Sequence, residues 1–164
     1  METLYDFLST DHERLDDLLN RAVENSAAID MEAYGEFRRG LLKHIGIEEK
    51  IILPAVARLQ NGRQADVANK LRLDHGALVA LLVPPPSAGI VRTIMSILKV
   101  HNALEEREDG LYRLIDRLAG EERETILKRA KETPEVPALS HNDREGILEV
   151  TRRAVERAGY RADF

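Results

Sequence analysis

Apolar residues recur every three or four positions along most of the chain, and this period is typical of amphipathic α-helices. The first helix opens with Leu4, Phe7 and Leu8, and Asp30 is suited to capping the start of the second. Pro54 is expected to kink that second helix, and no stretch alternates as a β-strand would. The sequence predicts helices over about residues 3–26, 31–59 and 63–82, and from about 87 through 105.

The connections between these four helices are short, which favours an antiparallel up-down-up-down bundle with one stripe of each helix in a shared core. A further helix is predicted over 121–131, then an extended Pro-containing linker over 133–140 and a final amphipathic helix over 143–158. We therefore predict an all-α protein. Residues 1–132 would form the four-helix bundle, and residues 133–164 a linker and an additional C-terminal helix packed on it.

Histidine and glutamate stand four residues apart in two of the predicted helices, as His44 with Glu48 and His101 with Glu105. Residues four apart lie on one face of a helix, so each pair can present an imidazole nitrogen and a carboxylate oxygen to one point. A single pair of this kind is usually a surface ion pair. Here both pairs fall on apolar stripes, and we therefore expect the four side chains to be buried.

The two pairs belong to an internal repeat of the chain. Asp11-His12 recurs as Asp74-His75 after 63 residues, and the run 44–49 recurs at 101–106 after 57 residues. The repeat predicts two helical hairpins related by a pseudo-twofold axis. Each hairpin would supply two histidines and one glutamate to the core.

Buried imidazoles and carboxylates destabilise a core by several kcal/mol unless each finds a partner. A pair of metal ions supplies that partner, because carboxylates can bridge two ions and imidazole suits iron, manganese or zinc. We predict a dinuclear site, with iron favoured, in which each ion has two imidazoles and both glutamates bridge. The predicted ligands are His12, His44, Glu48, His75, His101 and Glu105. They leave open positions for water, hydroxide, oxo or an exogenous small molecule.

Other ionisable residues near these motifs are not among the six predicted ligands. Glu49 and Glu106 lie about 100° around the helix from the predicted ligands, so we expect them to be solvated or to lie behind the ligands. Glu108 is considered as an accessory carboxylate, and His141, which follows the linker, is expected in a loop or at a cap. The aspartates before the first and third histidines are expected to cap helices or lie at the surface, namely Asp11 and Asp74.

Charge and composition exclude several classes of protein. A net charge of −5 gives no electrostatic footprint for nucleic acid or an anionic membrane, and the lack of cysteine excludes disulfides and thiolate metal sites. The N-terminal segment lacks the features of a signal peptide, and no apolar run is long enough to span a bilayer. We predict a cytoplasmic protein without nucleic-acid or membrane partners, and the apolar strip of the final helix is compatible with a homodimer.

Short motifs follow one another in a fixed order: Asp11-His12-Glu13, HIGIEEKIILP at 44–54, Asp74-His75, HNALEEREDGLY at 101–112 and VPALSHND at 136–143. In this order and spacing they resemble the hemerythrin-like HHE cation-binding family, and the last resembles a tail of some bacterial members. The resemblance implies a four-helix bundle around a non-haem di-iron centre with an oxo or hydroxo bridge. It implies the same six histidines and glutamates as ligands.

The chain departs from the oxygen-carrying hemerythrins at two points. Those proteins have a further histidine four residues after the one in the third helix, where this chain has Val79. Their last helix carries His-x-x-x-x-Asp, whereas this chain has His101 and Glu105 one residue closer together. These departures disfavour reversible oxygen transport and favour the symmetric HHE subgroup.

Three classes of function fit these residues. The leading one is a non-enzymatic protein that binds dioxygen or a related diatomic or peroxide ligand for sensing, storage or scavenging. The second is a di-iron oxidase or peroxidase or a nitric-oxide-consuming enzyme, but Tyr112 is the only candidate for a substrate-directed group near the motifs. The third is a zinc-binding or metal-free structural or interaction protein. The balance favours a binding protein over an enzyme.

Overall fold

Helices account for every regular element of the computed structural model, which describes all 164 residues. The all-α prediction is confirmed, whereas the antiparallel up-down-up-down order and the division at residue 132 stay predictions. In chain order the elements are α1 (Leu4–Ala22), α2 (Met31–Ile47), a π-helical segment (Glu48–Ile52), α3 (Leu53–Leu59), α4 (Ala68–Leu81), α5 (Ala88–Glu106), α6 (Leu111–Ala119), a 3₁₀ turn (Gly120–Glu122), α7 (Arg123–Lys131) and α8 (Ile147–Arg157).

Side-chain caps fix where the long helices begin. Thr3 and Asp6 form a capping box at the start of α1, each side chain accepting a hydrogen bond of 3.0 Å from the other residue's backbone N–H. Asp30 accepts from two backbone N–H groups in the first turn of α2, as its position predicted. Ser87 accepts from the N–H of Ile90 at the start of α5. These caps satisfy N–H groups that have no partner within the helix.

Several predicted helices are longer than the structure allows. The first ends at Ala22 instead of 26, the third begins at Ala68 instead of 63, and the last begins at Ile147 instead of 143. Gly146, directly before α8, has φ +86°, a left-handed conformation that a right-handed helix cannot include. Residues 63–67 are not helical, although Ala65 among them is buried in the core, so apolar spacing alone extended the third helix too far.

The buried apolar side chains form two clusters, one on each side of the predicted metal ligands. Along α1, His12 separates Leu8 from Leu15, and along α4, His75 separates Leu71 from Leu78. The cluster that we call the first includes Leu15, Leu19, Phe37, Leu41, Leu78 and Leu98. The second includes Leu4, Leu8, Ile52, Leu71, Leu111 and Ile115. A polar layer therefore crosses the core of the bundle.

The C-terminal segment packs against α4 and α5. Val155 of α8 and Ala158, directly after this helix, belong to the first apolar cluster. The amino group of Lys70 donates to the carbonyl of Ala158 at 2.8 Å. Further on, the carbonyl of Asp163 lies so close to Gly89 that a Cβ there would come within 2.0 Å of it. None of the helices is both long enough and apolar enough to cross a membrane.

Candidate metal centre

The six predicted ligands meet in the polar layer, and each is at most 5% exposed. Their donor atoms form two groups, and within each group all atoms lie within 4.8 Å of one another. The first group is His12, His44, Glu48 and Glu105; the second is His75, His101, Glu48 and Glu105. Each group thus has its own two histidines, and both groups share the two glutamates.

Each glutamate lies between a histidine of its own helix and a histidine of the other half of the repeat. Oε1 of Glu48 is 3.3 Å from Nε2 of His44, and its Oε2 is 3.0 Å from Nε2 of His75. Glu105 repeats the arrangement, with distances of 3.1 Å to His101 and 3.3 Å to His12. The pseudo-twofold relation seen in the sequence therefore holds in the geometry of the site.

A carboxylate accepts a hydrogen bond from the outer ring nitrogen of every one of these histidines. The Nδ1 pairs are His12 with Glu106 (2.5 Å), His44 with Asp11 (2.8 Å), His75 with Glu49 (2.6 Å) and His101 with Asp74 (3.2 Å). An imidazole that donates through Nδ1 keeps its Nε2 lone pair for the interior. Metal-binding histidines in proteins are usually oriented in this way.

The prediction that Asp11 and Asp74 are caps or surface groups is wrong, because both reach a histidine on the next helix of their hairpin. Asp74 is fully buried and also accepts from the amino group of Lys70 at 2.5 Å and from the hydroxyl of Tyr160 at 3.1 Å. Glu49 and Glu106, in contrast, lie behind imidazoles as expected. All four carboxylates orient histidines from outside the two donor groups.

Three buried polar atoms of the second group lack a hydrogen-bond partner, and this tests whether a cation fits there. They are Oε2 of Glu48, Nε2 of His75 and Oε1 of Glu105. The first two are 3.0 Å apart but are not aligned for a hydrogen bond. Leaving such groups unpaired costs about 1–3 kcal/mol each, and a cation that accepts their lone pairs removes this cost. The donor set therefore fits a metal ion.

A family model described as the hemerythrin HHE cation-binding domain matches residues 3–109, which include all six predicted ligands. The chain belongs to this family. The resemblance inferred from the motifs is confirmed, and metal binding follows from the family together with the two donor groups. No curated protein and no solved structure matches this HHE protein.

Tyr112 of this HHE protein lies beyond the matched region, yet its hydroxyl sits among the predicted ligands. The oxygen is 2.9 Å from Nε2 of His12 and 3.1 Å from Nε2 of His44. It also donates toward Glu48 Oε1 at 2.5 Å and lies 3.1 Å from Glu105 Oε2. The seven-residue step from Glu105 does not predict this position, because α5 ends at Glu106 and the step is not two turns of one helix.

The chain reaches this position through a break and not through a continuous helix. α5 ends at Glu106, and Gly110 then packs against the carbonyl of Glu105 so closely that a Cβ would lie 2.4 Å from the oxygen. Only glycine fits this approach without a shift. The turn allows α6 to begin at Leu111 and directs Tyr112 back into the polar layer.

The first half of the repeat takes a different path after its glutamate. Glu48 begins the π-helical segment, in which the N–H of Leu53 bonds to the carbonyl of Glu48 five residues earlier. Pro54, which we expected to kink this helix, follows at the start of α3. Single π-helical turns inside α-helices occur frequently at functional sites. Here the π-helical turn begins at a residue that both donor groups share.

The electrostatics of the HHE site favour positive charge. Burial by itself would lower the pKa of His44, but the charges and hydrogen bonds of Glu48 and Asp11 outweigh it and raise the pKa to about 10. His101 behaves in the same way beside Glu105 and Asp74, with a pKa of about 10. Burial would raise the pKa of Glu48, but the histidines hold it well below its usual range. A cation would supply the same charge as the imidazole protons.

A small cavity of about 10 Å³ adjoins the imidazoles of His12, His44 and His101. This volume is close to the smallest that holds a water molecule. Its other walls are Leu15, Asp16, Leu41, Ile45, Leu98 and Asn102. The cavity beside these histidines therefore has room for about one water-sized molecule.

The accessory carboxylate Glu108 and the loop residue His141 lie outside both donor groups. Glu108 is exposed in the turn after α5. The ring of His141 stacks on Tyr34 with 6.2 Å between the ring centroids, and Tyr34 packs in the first apolar cluster. Val79, which replaces the additional histidine of the oxygen-carrying hemerythrins, is 39% exposed.

Proposed function

We propose that this HHE protein holds two iron ions in its polar layer and binds dioxygen or a related small molecule, such as nitric oxide or peroxide, for sensing, storage or scavenging. The observation that carries the proposal is the sharing of Glu48 and Glu105 by two donor groups that each have two histidines of their own. A carboxylate can bridge two ions, whereas an imidazole cannot easily do so.

Each residue has a defined part in this proposal. His12 and His44 would hold one ion, His75 and His101 the other, and the two glutamates would contact both. A pair of redox-active ions with open positions supplies a place where diatomic molecules and peroxide bind. The carboxylates on the outer nitrogens keep the imidazoles oriented and make them stronger donors.

The surroundings of the site restrict what can bind there. The apolar clusters on both sides of the polar layer exclude bulk water. The cavity beside His12, His44 and His101 is only about 10 Å³ in size. These features support a small molecule as the bound species and give no space for an organic substrate.

The first test is anaerobic loading with iron, followed by measurement of metal per chain and of absorption spectra with oxygen, azide and peroxide. We expect about two irons per chain, because the structure has two donor groups. Glu48→Gln should lower the stoichiometry to one iron or fewer, since a neutral amide bridges two ions poorly. Glu108→Gln, an exposed carboxylate near the same site, is the matched control and should bind as the parent protein does.

The outcomes distinguish the classes of function. Reversible spectral changes with oxygen or nitric oxide would support a binding protein, and repeated turnover of peroxide or nitric oxide would instead support an enzyme. Preference for zinc over iron without redox-sensitive absorption would favour a structural role. A chain that binds no metal after loading would contradict the proposal.

A further inference from the structure

The hydroxyl of Tyr112 is placed as a metal ligand would be. Donor atoms bound to one ion at about 2.0–2.1 Å and at right angles lie about 3 Å from each other. The phenol oxygen is 2.9 Å from His12 Nε2, 3.1 Å from His44 Nε2 and 3.1 Å from Glu105 Oε2. Two predicted ligands of the same group have a similar spacing, with 3.3 Å between Nε2 of His12 and Oε2 of Glu105. Tyr112 therefore lies within the first donor group and not behind it.

Hydrogen bonding by neutral imidazoles does not account for this arrangement. A phenol has one hydrogen to donate, and here it faces two carboxylates and two imidazole nitrogens. Both imidazoles already donate through their outer nitrogens to Asp11 and Glu106, so their inner nitrogens carry lone pairs when the rings are neutral. Around neutral rings, four acceptors thus surround one donor. Protons on the imidazoles supply the missing donors in the metal-free protein, and a cation among the same atoms would replace those protons.

The position of Tyr112 differs between the two halves of the repeat. The offset of 57 residues that relates the two His-x-x-x-Glu pairs places Ala55 opposite Tyr112. Ala55 is buried but has no donor atom. The atoms without hydrogen-bond partners lie in the second group, which the phenol does not complete. The two halves are therefore alike in histidine and glutamate and unlike in this one residue.

We infer that the phenol oxygen of Tyr112 is a further ligand of the ion between His12 and His44, an inference that rests on the proposed function. The phenol proton leaves to solvent as the ion takes its place. The first ion then has five protein residues as ligands and the second has four. The additional open position therefore belongs to the second ion.

Iron-loaded protein oxidised in air tests this assignment. The parent protein should show a visible phenolate-to-iron(III) charge-transfer band, and Tyr112→Phe should abolish it. The variant should bind one of its two irons at least about tenfold more weakly, which is the smallest loss typical even of residues that only orient a ligand. Tyr34→Phe is the matched control, because that hydroxyl is buried, has no hydrogen-bond partner and lies outside the site. It should keep the band.

A second measurement does not depend on the folding of a variant. Resonance Raman spectra of the unmutated iron-loaded protein, with and without ring-deuterated tyrosine, should show phenolate modes that shift with the label. Protein with about two irons but no phenolate band or modes would overturn the role of Tyr112 and leave the six-residue site intact. Protein that binds no iron would overturn both, so the two failures are distinguishable.

Discussion

Each histidine of the site has a carboxylate behind it, so the predicted ligands cannot be understood one residue at a time. Two of these carboxylates are aspartates, and Asp11 is the less buried of the two. It accepts hydrogen bonds of 2.8 Å from Nδ1 of His44 and from Nε of Arg14. The hydrogen bond fixes the plane of the imidazole and increases the basicity of its inner nitrogen. Removing the negative charge while keeping the shape should therefore weaken metal binding.

We expect Asp11→Asn to lower metal affinity by about 10-fold or more, because an amide accepts the imidazole hydrogen less strongly than a carboxylate does. Competition with a chelator of known affinity measures this. Asp17→Asn changes the same kind of side chain at an exposed position of the same helix and should have no effect. Equal affinities for the two variants would show that the outer carboxylate does not influence the metal.

For single residues, the sequence predicted burial correctly where it follows from spacing along one helix. The positions of His44 and Glu48 on an apolar stripe were enough to expect their burial together. Asp11 and Tyr112 were not predictable in this way, because their partners lie on other helices. Asp11 contacts His44 across 33 residues, and Tyr112 contacts His12 across 100. Spacing in the chain carries no information about such contacts.

The helices that follow the two glutamates differ, although the glutamates themselves are equivalent. The π-helical segment (Glu48–Ile52) continues the second helix, whereas α5 stops at Glu106 and the chain turns at Gly110. The turn requires contact between the backbone of residue 110 and the carbonyl of Glu105. Since it sets the position of Tyr112, a change there should affect both stability and the site.

Gly110→Ala should destabilise the protein by about 1–3 kcal/mol, which is typical of a side chain forced into filled space. Gly46→Ala is the matched control, since Gly46 is inside α2 and a Cβ there meets nothing within 4 Å. The control should raise the free energy of unfolding by about 0.5–1 kcal/mol, because alanine favours a helix over glycine. Urea unfolding of both variants gives the comparison. A stable Gly110→Ala protein would mean that the turn can relax.

Helix interiors could be predicted from apolar periodicity, and two of the starts could be predicted from Asp30 and Ser87. Other ends depend on the φ angle of single residues, as at Gly146, or on a non-helical segment that buries one side chain, as at Ala65. The positions of these helix ends are determined by packing against other helices. The period of the apolar stripe does not report them.

Over the whole molecule, the polar layer separates two apolar clusters and must be neutralised to be stable. Without a metal ion, protons on the histidines are the available positive charge. The pKa values of His44 and His101 are raised from the usual 6.5 to about 10. The stabilisation from these protons is fully present below pH 6.5 and is lost as the pH rises toward 10.

Protein kept in chelator should therefore lose stability between pH 7 and 9, by about 1.4 kcal/mol per pH unit for each imidazole protonated only when folded. Denaturant unfolding at several pH values measures the slope. His44→Gln should reduce the slope of unfolding free energy against pH by about 1.4 kcal/mol per pH unit, the contribution of one imidazole. His141→Gln, which changes a histidine outside the site, should keep it. Iron-loaded protein should instead lose stability toward acid, as protons compete for the imidazoles.

The contact between the C-terminal segment and Asp74 sets a lower limit on the size of a working unit. The hydroxyl of Tyr160 donates to the carboxylate that orients His101, and it does so from beyond α8. A fragment cut at residue 109, where the family match ends, would lose this support together with Tyr112. Transplanting the site into another scaffold therefore means transferring almost the entire chain and not only the region that defines the family.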